Sequence, residues 1–326
     1  MRMDIKGIKT NGRVILGPMA GITSLAYRRF MKPFGVALSV SEMISDCGIN
    51  YNNKRTLEYL KTSEDDRPVA LQLFGFSSEN TVKAIETLES LASFDMLDIN
   101  LGCPVHKVVK TGAGSAWLKE PMKLYEYMRD IVRASHHPVS AKIRLGWDSS
   151  SINVFEVSSL LEKAGVSLLT VHARTSVQGY SGTPSWDEVK GLGETLSIPL
   201  CVSGDIFTPE AALEAMDIAK ASFVMVARGA VGNPLLVTNI NRALEGKSLL
   251  QRPLAKQQAL YAKEFASLLK EEKGERIASL DLRGILPHFF SEFRGYKKVR
   301  TEIALHTKTY EEMIRVLDGI IARESI

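Results

Sequence analysis

The chain has 326 residues, 45% of them hydrophobic and 24% charged, with 41 basic against 37 acidic side chains for a net charge of +4. These values are those of an ordinary soluble globular protein, long enough for one large domain and a smaller one. No apolar run approaches the ~18 residues of a membrane span, and the N-terminal Met1-Arg2-Met3-Asp4-Ile5-Lys6 lacks an apolar signal core. Cys47, Cys103 and Cys201 show neither metal spacing nor a disulfide framework, so no membrane, no metal and a reducing cytoplasm are expected.

In chain order, short apolar runs alternate with helical stretches. Val14-Ile15-Leu16-Gly17 leads into Pro18-Met19-Ala20-Gly21, and residues 23–34 read as a helix capped by Thr23 or Ser24. Ala37-Leu38-Ser39-Val40 ends at Ser41-Glu42-Met43. Val69-Ala70-Leu71 reaches Gln72, then Leu73-Phe74-Gly75, with a helix expected over 80–92. Met96 to Ile99 stops at Asn100, and a helix follows at 121–134. Val139-Ser140-Ala141 reaches Lys142, then Ile143-Arg144, with a helix over 153–164. Leu168 to Val171 leads to His172-Ala173-Arg174, and 186–196 reads as helical. Leu200-Cys201-Val202 leads to Ser203-Gly204-Asp205, then a helix at 209–219 in which Thr208 is N-cap and Pro209 the first helical residue. Phe223 to Val226 leads to Ala227-Arg228-Gly229, and Asn233-Pro234 opens a helix to 244.

Eight near-continuous apolar strands alternating with helices imply a parallel sheet covered on both faces. Eight such units match a (β/α)8 TIM barrel of ~250 residues. An open doubly wound sheet is the alternative, but it would concentrate phosphate chemistry in one early glycine-rich turn. Here polar residues are spread over most strand ends. The expected division is a barrel over 1–245 and a small C-terminal helical domain over 246–326.

Cys103 is the most informative single residue. It follows Asn100-Leu101-Gly102 and precedes Pro104, so the thiol stands just past the end of a buried strand, where parallel barrels carry reactive groups. Cys47 and Cys201 are expected to be core residues, the usual place of cysteine.

The charge is unevenly placed. From 246 on there are 15 Lys or Arg and 11 Asp or Glu, so the whole positive excess lies in the tail. The tail reads as helical over 254–270, 277–293 and 309–323. Within it Arg294, Lys297, Lys298 and Arg300 surround Tyr296, after Phe289, Phe290 and Phe293. A solvated helix end and a phosphate-contacting surface fit this cluster equally well.

Taken in order, Pro18-Met19-Ala20-Gly21, Ser41-Glu42-Met43, Gln72-Leu73-Phe74-Gly75, Asp98-Ile99-Asn100-Leu101-Gly102-Cys103-Pro104 with Lys107-Val108, Lys142-Ile143-Arg144, Val171-His172-Ala173-Arg174, Tyr180-Ser181-Gly182 with Trp186, and Gly204-Asp205-Ile206 resemble the dihydrouridine synthases. The resemblance is close over about 13–245, and in the tail extends only to size and helical character. Ser203 stands where an Asn usually precedes Gly-Asp, and Ala227 where a Gly often precedes Arg-Gly. Both are small and leave room for a ligand.

The resemblance implies an FMN-dependent enzyme, expected as a monomer, that saturates the C5–C6 bond of uridine in folded RNA, usually tRNA, with NADPH or NADH as reductant. FMN phosphate is expected on the backbone of Ser203, Gly204, Asp205 and Ala227, with Arg228 adding a charge-assisted bond. Gln72 is expected at the ring edge, Pro18, Met19 and Ala20 against the ring, Lys142 near N1/C2=O, and His172 on the ring or phosphate side. Cys103 is the expected general acid, since an ordinary thiol, with a pKa of about 8.5, is mostly protonated at neutral pH. Asn100 is expected to hold the uracil edge or the flavin. Lys107 and Lys110, with two nearby glycines, are expected to form a mobile basic loop. Arg174 and Arg144 face RNA or serve as ion-pair partners. Arg294, Lys297, Lys298 and Arg300 are expected to contact RNA.

Other readings remain. A dihydroorotate-type flavoenzyme shares the barrel and a loop cysteine but needs no basic tail. A Schiff-base aldolase would use Lys142 and leave Gln72, Cys103 and the Gly204-Asp205 loop idle. A non-catalytic RNA-binding protein accounts only for the tail.

Overall fold

A computed structural model describes residues 2–323. Strands β1 (Arg2–Ile5) and β2 (Ile8–Asn11) form an antiparallel hairpin. Strands β3 (Val14–Leu16), β4 (Leu38–Ser45), β5 (Val69–Phe74), β6 (Met96–Asn100), β7 (Val139–Arg144), β8 (Leu168–His172), β9 (Leu200–Ser203) and β10 (Phe223–Val226) are parallel and close into a barrel, with β10 pairing back onto β3. The connections carry α1 (Leu25–Met31), α2 (Asp46–Asn50), α3 (Lys54–Glu58), α4 (Ser78–Leu91), α5 (His106–Val109), α6 (Pro121–Ala134), α7 (Val154–Lys163), α8 (Pro209–Ala219) and α9 (Leu235–Leu244). The tail holds α10 (Ala255–Lys273), α11 (Glu275–Ile285), α12 (Lys297–Thr301) and α13 (Tyr310–Arg323). No helix among the described residues is long and apolar enough to cross a membrane.

The barrel forms because its strands are apolar on both faces. One side packs on the helices, and the other fills the interior with Ile15, Leu38, Val40, Ala70, Met96, Leu168, Cys201, Phe223 and Met225. Ile5 of the hairpin belongs to the same interior cluster. The hairpin therefore plugs the N-terminal end of the barrel and leaves the C-terminal end for a ligand. The sequence reading begins at Val14 and misses this hairpin, whose two four-residue strands are largely polar. Its Lys6-Gly7 turn, at φ 48° and 92°, is closed by the Gly7 N–H donating to Asp4 Oδ1.

A second difference lies at 186–196. Two short 3-10 turns, Trp186–Val189 and Leu192–Glu194, replace the expected helix. Gly193 lies so close to the strand-leading loop that a Cβ there would sit 2.1 Å from the Lys220 carbonyl oxygen. Close backbone approach, rather than helical periodicity, fixes that segment. Cys47 also departs from expectation, being half-buried on α2, whereas Cys201 is fully buried in the barrel.

The tail packs against the barrel. The Phe265 ring of α10 sits 5.6 Å from Tyr27 at an edge-on 89° and 5.7 Å from Phe30, both on α1. Phe289 lies 5.9 Å from Phe30, and Tyr261 5.2 Å from Phe34. One continuous apolar cluster runs from the barrel's outer layer through Phe265, Leu282, Phe290 and Leu317. Glu272 adds a polar tie, accepting a 2.6 Å hydrogen bond from the Ala26 N–H in the first turn of α1. Phe265→Ala would open a cavity between barrel and tail and cost about 3–5 kcal/mol. In urea denaturation we expect one transition for both parts, shifted to lower denaturant. Two transitions, with the barrel's unmoved, would show that the parts are independent.

Candidate active site

The open end of the barrel holds a cavity of ≈ 410 Å³, lined by the ends of the eight barrel strands or the loops that follow them. Its size falls in the range of cofactor and substrate sites. Every residue the sequence reading assigned to a cofactor lines it: Pro18, Met19, Ala20, Gln72, Lys142, His172, Ser203, Gly204, Asp205, Ala227 and Arg228. Asn100 and Cys103 line it too.

Strand pairing sets the polar framework. β5, β6 and β7 lie side by side with Gln72 opposite Asp98 and Asp98 opposite Ser140. Gln72 Nε2 donates to Asp98 Oδ2 at 2.6 Å, and Ser140 Oγ donates to Asp98 Oδ1 at 2.5 Å. Asn100 Nδ2 donates to Gln72 Oε1 at 2.8 Å. Asn100 Oδ1 in turn accepts from the Cys103 N–H at 2.8 Å and the Gly102 N–H at 3.2 Å. Burial raises the Asp98 pKa, opposed by the bonds from Gln72 and Ser140 and by the Lys142 charge. The function of Asp98 in orienting Gln72 escaped the sequence reading, although its place two residues before Asn100 on one strand face was visible.

Cys103 is held from the other side as well. Its carbonyl accepts from the Ser115 N–H at 3.1 Å and Ser115 Oγ at 3.0 Å, and Ser115 Oγ meets Ser176 Oγ at 2.5 Å. The segment between holds the short helix α5 with Val108 buried, and Lys107 and Lys110 are exposed and do not line the cavity. Burial pushes the Cys103 thiol up, opposed by the Val105 N–H and by the Arg144 and Lys142 charges. The thiol is therefore protonated at neutral pH.

Two arginines, read from the sequence as facing RNA or as ion-pair partners, are buried and tie loops together. Arg174 is 1% exposed and binds Asp205 Oδ2 at 2.5 Å, the Gly182 carbonyl at 2.7 Å and the Ser181 carbonyl at 3.1 Å. Arg144, 2% exposed, binds the Gly102 carbonyl at 2.8 Å and those of Thr175 and Gly179 at 2.8 and 2.7 Å. Both guanidiniums donate to carbonyls that tie the loop after β8 to its neighbours, and Arg144 also lines the cavity. Tyr180, on that loop, lies over the mouth, with Arg144 and Arg228 5.4 and 5.2 Å from its ring.

The loops after β9 and β10 form an anion cradle. Gly204, at φ 140°, adopts a backbone that L residues rarely tolerate, and Asp205 follows at φ 45°. The Asp205 carboxylate does not point free into the cavity; it bridges Arg174 and Arg228, the latter at 2.6 Å. Arg228 keeps half its side chain exposed, so further donors remain for a ligand.

Positive charge dominates the electrostatics of the cavity floor. Lys142 makes no hydrogen bond or ion pair among the described residues, and its pKa is lowered to about 8 by burial, with Arg144 adding and Asp98 opposing. His172 is pushed down to about 2 by burial and by Lys142, Arg144, Arg174 and Arg228, and so is neutral. A flat, electron-rich ring with an anionic edge and a phosphate fits this set. No group of three or more His, Cys, Asp or Glu among the described residues is placed to hold a metal.

Outside the cavity, Arg294, Lys297 and Lys298 are exposed. Arg300 is half-buried and its Nη1 donates to the Phe290 carbonyl at 2.9 Å, capping the preceding turn. A groove of ≈ 390 Å³ shares Phe207, Arg228 and Gly229 with the cavity and runs to Ser291, Glu292 and Phe293 of the tail.

A closed parallel barrel with a protonated thiol, an unpaired ammonium and positively charged loops at one end defines a barrel enzyme whose cavity is lined by Lys142 and Cys103. The chain belongs to the dihydrouridine synthase family: the family's sequence profile, "Dihydrouridine synthase (Dus)", matches residues 15–324. It is 31% identical to the "Probable tRNA-dihydrouridine synthase 1" of Synechocystis sp. over 92% of this chain and 84% of that protein. It is also 31% identical to tRNA-dihydrouridine synthase B of Pasteurella multocida, over 88% of each. For tRNA-dihydrouridine synthase B of Pseudomonas aeruginosa the figure is 33%, over 82% and 81%. Among solved structures, histamine dehydrogenase from Rhizobium sp. 4-9 superposes with a TM-score of 0.57 at 13% identity over 82% of this chain. A 2-naphthoyl-CoA reductase superposes at 0.54 with 11% identity over 76%. This chain spans about half of each of those two, 50% and 52%, and the likeness is one of fold.

The lowered Lys142 pKa has a sign that can be measured. The folded protein binds this proton more weakly than the unfolded chain. Stability of the ligand-free protein is therefore reduced below about pH 8 and rises as pH climbs toward the ordinary lysine value of 10.5. Lys142→Met is expected to raise stability at pH 7 by up to ~3 kcal/mol and to flatten that rise. Urea denaturation at pH 7 and pH 10 checks it. A variant no more stable than its parent at pH 7 would show that the ammonium is not desolvated.

Proposed function

We propose that this protein reduces the C5–C6 double bond of uridine in tRNA to dihydrouridine, using FMN bound in the barrel cavity and NADPH or NADH as the source of electrons. The observation that carries this reading is the unpaired Lys142 ammonium facing Cys103 across a cavity whose far end is the Arg228 cradle. Lys142 supports an anionic flavin edge, and Arg228 with the backbone of Ser203, Gly204 and Ala227 takes the phosphate. Pro18, Met19 and Ala20 lie against the ring. Neutral His172 can donate or accept without adding a fifth positive charge to the cavity.

Flavin, when bound, supplies the hydride that adds at C6 of uracil. The rest is the work of this chain's side chains. Asn100, fixed by Gln72 and Asp98, holds the backbone of Cys103 and so aims its thiol. Cys103 Sγ–H gives its proton to C5, which completes saturation of the bond. The thiolate left behind is stabilised by Arg144 and Lys142 until a solvent proton replaces it. A small-molecule flavoenzyme reading leaves unused both the groove toward the tail and the exposed cations Arg294, Lys297 and Lys298. In our reading those three, with Lys107, meet RNA phosphates, and the C-terminal segment from 246 on serves as the RNA-binding part.

The purified protein should be yellow or take up added FMN; a colourless protein that binds none would overturn the proposal. Cys103→Ala should keep FMN and its reduction by nicotinamide, and lose dihydrouridine formation by ~10²–10⁴-fold. Near-full activity of that variant on unmodified tRNA would remove Cys103 from the mechanism.

Reversing the charge of Arg294, Lys297 and Lys298 should weaken tRNA binding and flatten its salt dependence by about one slope unit for each phosphate no longer neutralised. Reduction of FMN should be untouched. An unchanged salt slope would assign these side chains to a solvated surface.

A further inference from the structure

Behind the cofactor-facing loop, on the outside of the barrel, lies an acidic side chain that the mechanism above does not use. Glu42 follows the register shift in β4 between Val40 and Met43. Met43 lines the main cavity, while Glu42, its neighbour along the strand, is turned the other way, as strand alternation requires. It is 4% exposed. Its Oε2 accepts a 2.5 Å hydrogen bond from the Gly21 N–H, and its Oε1 is buried without a partner.

Gly21 closes the loop whose other members, Pro18, Met19 and Ala20, form one wall of the cavity. The loop is wound on itself. The Met19 carbonyl accepts from the Ile22 and Thr23 N–H groups at 3.0 Å each, and the Met19 N–H donates to Thr23 Oγ1 at 2.8 Å. At Gly21 a side chain from another strand, Glu42, reaches in. Beside Glu42 is a second cavity, ≈ 460 Å³, between α1 and the tail, to which Ser24, Tyr59, Glu272 and Lys273 contribute. Ser24 Oγ is buried there without a partner as well.

A buried carboxyl with one oxygen unpartnered is poor packing, and an apolar side chain of the same length would fill that space while giving up only the single bond from the Gly21 N–H. Such groups are expected where a position serves a site rather than stability. We infer that Glu42 is a positioning residue for the cofactor: its carboxylate fixes Gly21 and thereby sets the wall of Pro18, Met19 and Ala20 against the flavin ring. This rests on the reading that FMN fills the main cavity. It assigns Glu42 no contact with cofactor or substrate.

The test uses the full chain, stripped of flavin, with FMN titrated in and flavin fluorescence as readout. The thermal midpoint of the apoprotein is measured alongside. Wild-type protein that binds no FMN would defeat the proposed function itself. If it binds, Glu42→Met is expected to keep or raise the apoprotein midpoint while weakening FMN by roughly 10- to 100-fold, the scale of one lost charge-assisted hydrogen bond. Glu42→Gln retains an acceptor for the Gly21 N–H and is expected to bind FMN within about threefold of wild type. Wild-type FMN affinity in Glu42→Met overturns the inference. So does a Met variant that fails to fold, or whose affinity and stability fall together, since Glu42 would then be a structural group.

Discussion

The site depends on one buried carboxylate. Asp98 has given up water on all sides, and two neutral donors, Gln72 and Ser140, satisfy its oxygens. That demand fixes which end of the Gln72 amide faces β6, because only Nε2 can donate to Asp98. Gln72 Oε1 is then turned to Asn100 Nδ2, which in turn leaves Asn100 Oδ1 for the Cys103 N–H. Three side chains on two adjacent strands, Asp98, Gln72 and Asn100, thus form a one-way line of donors and acceptors that ends at the Cys103 N–H, with Ser140 donating to Asp98 from the third strand. An Asn or a protonated group at 98 would reverse or release the line, and the thiol would lose its aim without any change at Cys103. In a low-dielectric interior such a line is rigid because every alternative leaves a polar atom unpaired.

The second organising feature is excess positive charge. Lys142, Arg144, Arg174 and Arg228 all act on His172, and the cavity's opposing carboxylates are Asp98, spent on hydrogen bonds, and Asp205, shared by two arginines. The ligand-free cavity is therefore electrostatically unsatisfied. An anionic ligand offsets that repulsion when it binds, so part of its affinity comes from relief of strain already present. The same field stabilises a thiolate at Cys103 only after its proton has left, because burial favours the neutral thiol beforehand. On the proposed reading, both effects serve an acid that must hold its proton and then release it.

Much of this was legible in the sequence because parallel barrels write their sites at strand ends. Gln72, Asn100, Lys142, His172 and Ser203 are polar residues closing apolar runs, and all five line the cavity. What sequence could not separate was a strand-end arginine that faces ligand from one that ties loops together. Arg174 and Arg228 carry the same charge at equivalent places on β8 and β10, yet one is 1% exposed and the other half-exposed. The difference arises from the length of the loop after β8, which folds back and presents carbonyls at Ser181 and Gly182. Likewise, Gly193 gave no hint that the Lys220 backbone would crowd it. Non-local approach, invisible to periodicity, decided both cases.

The aromatic seam between α1 and α10 bears on how a folded RNA could be handled. A uridine must leave its stack before its ring can reach the cavity, at a cost of a few kcal/mol. An enzyme with a hinged tail could meet that cost by closing on its substrate. Here Phe265 and Phe289 lock the tail to Phe30, and Glu272 holds the first turn of α1, which continues from the cofactor loop itself. Interfaces built as a continuous core do not hinge. On the proposed reading the distance from the exposed cations of the tail to Cys103 is then fixed by packing. The RNA, rather than the protein, must deform, and the uridine selected is the one whose phosphates fall at that spacing.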